Sequence, residues 1–163
     1  MRRLFQRHQP PTCRGCWLKA GLGGGLAIAF IAWLGDVSGT PLLIGPFGAT
    51  CVLLFALPDS PLSQPVNVIG GHLLATALAL ALAPVLPATP FGMAIAVGAA
   101  ISLMMLLRLT HPPAGADPLL VLTMHPGWSF LLVPVLVGAV VLVVLALVMH
   151  RLPPARVYPL PAR

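Results

Sequence analysis

Ser60–Leu107 is a run of 48 residues without a single Asp, Glu, Lys or Arg, and Pro118–His150 adds another 33. A third uncharged run, Val37–Pro58, precedes them. A water-soluble fold covers itself with polar side chains, of which about 25% of all residues are charged. This chain has 7% charged and 58% hydrophobic residues, too few of the first to coat a soluble ball. A helical membrane crossing takes about 20 apolar residues, so the uncharged runs are read as crossings. The same arithmetic sets aside a soluble enzyme, a nucleic-acid-binding module and a disordered tail.

The net charge is +6, and its placement matters more than its size. Arg2, Arg3, Arg7, Arg14 and Lys19 lie at the N-terminus, Arg151, Arg156 and Arg163 at the C-terminus, and Arg108 stands alone between them. A nucleic-acid surface would spread such charge over a fold. Basic ends bracketing a lipid-soluble middle are the pattern of the positive-inside rule. The expectation is a multi-pass protein of the inner (plasma) membrane, with both termini cytoplasmic, the lipid bilayer as its partner and no nucleic acid.

The fold expected is an all-α membrane protein, a small helical bundle. Four long candidates are Leu18–Gly35, Val66–Ala83, Phe91–Leu107 and Ser129–Met149. Two shorter stretches, Leu42–Leu57 and Leu109–Met124, carry Pro and Gly near their starts and read as broken or re-entrant helices. Residues 1–17 form a basic cytoplasmic segment, 18–150 the transmembrane domain, and 151–163 a Pro-rich tail without a fold of its own. The first apolar run lacks a small-residue cleavage site and is expected to be retained. Gly21 with Gly25, and Ala94 and Gly98 with Ser102, have the spacing that lets helices approach closely in lipid.

The chain also repeats itself at an offset of 67 residues. Residues 25–87 laid on 92–154 without a gap give 17 identities in 63 positions, where the skewed composition alone would give roughly six or seven. Pro46-Phe-Gly-Ala49 falls on Pro113-Ala-Gly-Ala116, so both broken segments are in register. The two repeats are 18–87 and 88–154. Duplicated halves with a broken helix at matching positions point to a transporter site. If each half crosses three times, the halves are inverted and Arg108 falls on the side of both termini. If each crosses twice, they are parallel and Arg108 faces the other way. Charge favours inversion.

Irregular backbone inside a membrane must be buried in protein or line a wet cavity. Proline is pre-organised for the first turn of a helix, so Pro46, Pro112 and Pro113 mark starts. Gly45, Phe47, Gly48 and Gly115 complete those turns. Helix starts present amide protons and a partial positive charge, suited to a small inorganic anion. Few polar side chains lie nearby: Thr50, Asn67, His72, Arg108, Thr110, His111 and Asp117. Such groups in a membrane segment are functional candidates by default. These fourteen residues form the expected substrate-binding set.

No metal or cofactor is expected, and no enzyme activity, since the three acids are scattered. Cys13 and Cys16 make a single Cys-x-x-Cys, half a zinc site at most, and are expected to be an idle reduced pair. Cys51 reads as packing.

Thr110-His-Pro-Pro-Ala-Gly-Ala116, with Gly45-Pro-Phe-Gly-Ala49, Ser60-Pro-Leu-Ser-Gln-Pro65 and Asn67-Val-Ile-Gly-Gly-His72, resembles the HPP family of integral membrane proteins, over about Ala20 to Met149. The resemblance implies four membrane-spanning helices. Plastid and cyanobacterial members are linked to nitrite transport, so it also implies a small-anion carrier or channel with nitrite as the first solute to test. The expectation is therefore a permease, working as a homo-oligomer because so small a bundle is slight for a sealed path. The rival is a non-transporting membrane module, a scaffold or sensor that binds a ligand or partner protein.

Overall fold

Chain inside lipid must satisfy its own backbone hydrogen bonds, and helices do so within one segment. The computed structural model describes residues 2–161, which form helices and loops with no strand. Arg163, counted above among the basic tail residues, lies outside the described residues. Six α-helices follow in order: α1 Cys16–Ser38, α2 Pro46–Cys51, α3 Pro65–Leu82, α4 Pro90–Leu106, α5 Asp117–Met124 and α6 Val137–Arg151. Wider π-helical turns, Val52–Ala56, prolong α2, and a tight 3-10 stretch, Pro112–Ala116, leads into α5. Ahead of α6, the helical stretch Leu131–Leu136 is interrupted at Val133 (φ −133°, ψ 117°), next to Pro134. A proline there forces its predecessor out of helical geometry.

Local chemistry sets the boundaries. Proline occupies the first turn of α2, α3 and α4. The Thr89 hydroxyl accepts the Gly92 amide at 3.2 Å, capping α4. Gly39 ends α1 at φ 66°, a left-handed conformation that glycine adopts freely. Arg108 is also left-handed, at φ 59°, and turns the chain sharply after α4.

Three helical spans, Cys16–Ser38, Pro65–Leu82 and Leu131–Arg151, are long and apolar enough to cross a membrane. The sequence led us to expect four. The fourth, α4, is apolar but has 17 residues, the short limit of a crossing. It stops early because Leu107 leaves helical geometry ahead of the Arg108 turn. Outward along α1, Leu22, Leu26 and Trp33 are exposed and meet lipid.

Side-chain ties show which helix ends share a face. Lys19, in the first turns of α1, donates to the carbonyls of Leu152 (2.6 Å) and Pro154 (2.8 Å) beyond α6. The His150 ring, at the end of α6, donates from Nε2 to the Leu54 carbonyl at 2.8 Å, in the stretch that prolongs α2. Asn67, at the start of α3, donates to the carbonyls of Arg108 (3.4 Å) and Thr110 (3.1 Å) after α4. The beginnings of α1 and α3 and the ends of α2, α4 and α6 therefore lie together, with Lys19, Arg108 and Arg156. Successive helices alternate in direction, so α2 runs toward this basic end and α5 away from it.

The tail differs from the free extension expected. The Tyr158 hydroxyl donates to the Ser63 carbonyl at 3.0 Å, and the Leu160 amide to Gln64 Oε1 at 2.8 Å. A proline-rich segment has few amides to leave unpaired, so it lies across the basic end at little cost. Burial pushes the Tyr158 phenol above its ordinary range. The folded chain thus holds this proton to higher pH than the unfolded one. Its anchorage is complete below about pH 10 and weakens as the pH rises beyond that. Tyr158 is the one tyrosine in the sequence. Phenolate absorbance should therefore titrate above the ordinary value in the folded protein and return to it on unfolding. An ordinary midpoint in the folded state would mean the tail is undocked.

Close packing uses other glycines than those expected. A Cβ on Gly21, Gly25 or Gly98 would meet nothing within 4 Å. Tight contacts between elements include those at Gly23, against the Phe55 ring, at Gly71, where a Cβ would stand 2.7 Å from His111 Cβ, and at Gly138, against the Phe47 ring. Spacing within one helix does not reveal which face its neighbours occupy.

Candidate functional site

Pro46 and Phe47 begin α2, and Pro112 and Pro113 begin the turn into α5. The two starts meet: Pro46, Pro112 and Pro113 line one apolar groove of about 820 Å³, with Thr123 its polar side chain. The amide protons expected to point into a shared wet pocket are partly spent. The Phe47 and Gly48 amides bond the Ile44 and Gly45 carbonyls, and the Ala114 amide bonds the His111 carbonyl. Tight first turns satisfy the donors locally. The interior between the two starts is occupied by side chains.

Those side chains form a continuous hydrogen-bonded line. Asp117 Oδ2 lies 2.8 Å from His72 Nδ1, and also accepts the Thr76 hydroxyl at 3.1 Å. His72 Nε2 lies 2.9 Å from Thr50 Oγ1. The same hydroxyl lies 3.0 Å from His111 Nε2, and His111 Nδ1 donates to the Leu62 carbonyl at 2.8 Å. Thr50, His72, Thr76 and His111 are wholly buried and Asp117 is 1% exposed. Asp117 Oδ1 is buried without a partner. Phe47 packs edge-on against His72, ring centres 5.3 Å apart.

The fold explains how residues so distant in sequence converge. His72 and Thr76 are four apart on α3 and share a face. Gly71 lets the His111 segment come against α3, and Gly138 lets Phe47 come against α6. Thr50 and Asp117 stand 67 residues apart, the offset of the ungapped sequence match, and take opposite nitrogens of the same imidazole.

Of the fourteen expected residues, Phe47, Thr50, His72, His111 and Asp117 are brought together, with Pro46 and Pro113 buried beneath them. Asn67 braces the 108–110 loop from outside. Arg108 is exposed at the basic end and Thr110 half-buried. Pro112 is exposed in the apolar groove, and Gly45 lines that groove too. Gly48 lines a second cavity of about 640 Å³, which also holds Lys19, Gly24, Phe55, His150 and Arg156 at the basic end. Beside Gly45, Gly48 and Gly115 a Cβ would meet nothing within 4 Å.

Sequence reasoning missed Thr76 and His150. Thr76 was legible as the residue one turn after His72. His150 is buried, although it adjoins a charged helix end. Cys13 and Cys16, expected reduced and idle, are joined by a disulfide at the start of α1. Their spacing of three lets a turn bring the two sulfurs together. No group of three or more metal-ligating side chains occurs among the described residues.

The sequence model described as the HPP transmembrane region matches residues 9–159. Two proteins of Dictyostelium discoideum, each described as a transmembrane protein, are similar to the chain. One is 38% identical over 127 residues, covering 73% of this chain and 45% of that protein. The other is 34% identical over 128 residues, covering 74% and 41%. The chain thus spans less than half the length of these curated relatives. No solved structure matches it. An all-helical chain with membrane-length apolar spans, whose His-Pro-Pro turn is clasped from inside the bundle and whose matched region covers nearly its whole length, belongs to the HPP family of membrane proteins.

Proposed function

We propose that this chain is a permease for a small anion, with nitrite the first solute to test. One observation carries the reading: broken segments from both halves of the chain meet over a buried, ionisable side-chain line inside the membrane region. Ionisable groups are costly there and mark solute and proton pathways. The halves act as inverted repeats, four longer helices crossing beside two short ones. In support, Gly71 and Gly138, 67 residues apart, each seat the other half's broken segment. The basic end faces the cytoplasm of a cell whose inner membrane holds the protein as a homo-oligomer, because Lys19, Arg108 and Arg156 gather there.

The solute enters by the basic cavity, where Lys19 and Arg156 attract anions, and travels along the open face of Gly48 toward Thr50 and His111. The line is sealed in this state, and rocking of one half against the other exposes it. Transport fits better than catalysis. Thr50, His72 and Asp117 stand in the order of nucleophile, base and acid, yet the hydroxyl is unexposed and shared between two imidazoles.

Purified protein in liposomes should pass nitrite faster than empty liposomes do. Gly48→Leu should slow this severalfold while leaving thermal unfolding in detergent in place, since its side chain enters open space. An absence of flux over nitrite, nitrate, formate and chloride would remove the proposal.

A further inference from the structure

Hydrogen-bond arithmetic along the buried line fixes how many protons it holds. A carbonyl only accepts, so His111 Nδ1, facing Leu62, carries hydrogen. A neutral His111 then needs a proton from Thr50 at Nε2, and Thr50 has one. If Thr50 gives it, the bond to His72 forms only when His72 Nε2 carries hydrogen. The 2.8 Å contact between His72 Nδ1 and Asp117 needs one proton more. With His111 neutral, every bond in the line is therefore made only when His72 and Asp117 together hold two protons, which leaves the line without net charge. Remove one, and a buried negative charge remains while one hydroxyl proton faces two acceptor nitrogens. The Pro46 carbonyl, 3.2 Å from the same hydroxyl, competes for it.

The geometry points to a proton-carrying relay, Asp117–His72–Thr50–His111, that loads one exchangeable proton and couples it to solute movement. This deepens the permease reading and rests on it for the coupling alone. The loaded line has two equivalent forms. In one, the extra proton resides on the His72–Asp117 pair. In the other, His111 is the imidazolium, donating from Nε2 to Thr50, which donates to His72 Nε2, which donates from Nδ1 to the Asp117 carboxylate. Conversion is balanced: His111 Nε2–H passes to the Thr50 oxygen as the Thr50 proton passes to His72 Nε2. No heavy-atom bond breaks and no electron leaves. Asp117 Oδ1, buried without a partner, is the free end at which a proton enters or leaves.

The surroundings supply no other charge to satisfy the line. Phe47 covers His72. Ala114 packs with Ala100 and Met104 of α4. Cys51, beside Thr50, faces Gly24 of α1. Among the described residues, the His72–Asp117 and Arg156–Asp59 contacts are the ion pairs, and the second is exposed at the basic end. An anion of a weak acid that crosses with this proton moves without net charge, as a low-dielectric path favours.

Nitrogen-15 NMR of histidine-labelled protein, without solute, tests the relay directly. His72 and His111 should change protonation in one linked step, and Thr50→Val should uncouple them into two, with Thr50→Ser restoring the link. Transport gives the second reading. With nitrite as probe, Thr50→Val should lower accumulation driven by a pH gradient on the order of 100-fold relative to nitrite–nitrite exchange. Independent titration of the two histidines in the unaltered protein overturns the relay, as does an accumulation-to-exchange ratio that Thr50→Val leaves unmoved. A linked titration in a protein that passes no anion would keep the relay and discard the permease.

Discussion

Phe47→Ala should destabilise the folded protein by about 3 kcal/mol, the low end of the range for emptying a buried aromatic site. The low end applies because an unfolded membrane segment keeps its side chains in lipid, which leaves lost packing as the main term. Phe47 is wholly buried, meets the His72 edge and fills the notch at Gly138. Its loss frees α2 from α6 and removes the wall that sets the His72 ring. Unfolding titration in mixed detergent would read the change. Gly138→Ala alone should also destabilise, since its Cβ runs into the Phe47 ring. In a Phe47→Leu background the same change should be better tolerated, and the coupling between the two would appear as non-additivity. A loss below about 0.5 kcal/mol for Phe47→Ala, the level of an unremarkable surface change, would contradict the packing of α2 described here.

Gly71→Ala should cost about 1–3 kcal/mol, the range for overfilling a packed interior. A Cβ there would stand 2.7 Å from His111 Cβ and 3.0 Å from the Leu109 carbonyl oxygen. These are atoms at or next to the main chain, so no rotamer change relieves the clash and the 109–111 segment must back away from α3. That motion lengthens the contact between His111 and Thr50. Gly71→Ala should therefore weaken nitrite flux and stability together. Gly48→Leu should affect flux alone, because no atom lies within 4 Å of a Cβ there and the side chain extends into the cavity at the basic end. Measuring both variants for unfolding and for flux separates a packing role from a pathway role. Equal stability in Gly71→Ala and the unaltered protein would refute the close approach.

The two glycines also bear on how the halves are joined. Each takes the broken segment of the other half into the notch left by its missing side chain. The first and last parts of the chain thus interlock at these two notches, while Gly23 of α1 also seats Phe55 of the first broken segment. Thr50 and Asp117 follow the same logic, since the imidazole of His72 needs both. In the proposed permease, a small rotation of one half against the other would break the line at Thr50.

Much of this was written in the chain. Uncharged runs and proline-marked starts gave membrane helices and their approximate limits. Those features depend on solvent preference and local backbone chemistry, which a residue carries wherever the fold puts it. The Pro and Gly clusters likewise marked the two broken segments before any contact was known. The tertiary structure decided what lies between them. It filled the expected wet cleft with Thr50, His72 and His111, spent the helix-start amides on nearby carbonyls, joined Cys13 to Cys16 and strapped the tail to Ser63 and Gln64. Each of these depends on helix rotation and on distances between segments far apart in sequence. Apolar faces here look alike all round, so no periodicity announces which side of a helix turns inward. Packing alone fixes that, and it chose the face of α3 bearing His72 and Thr76.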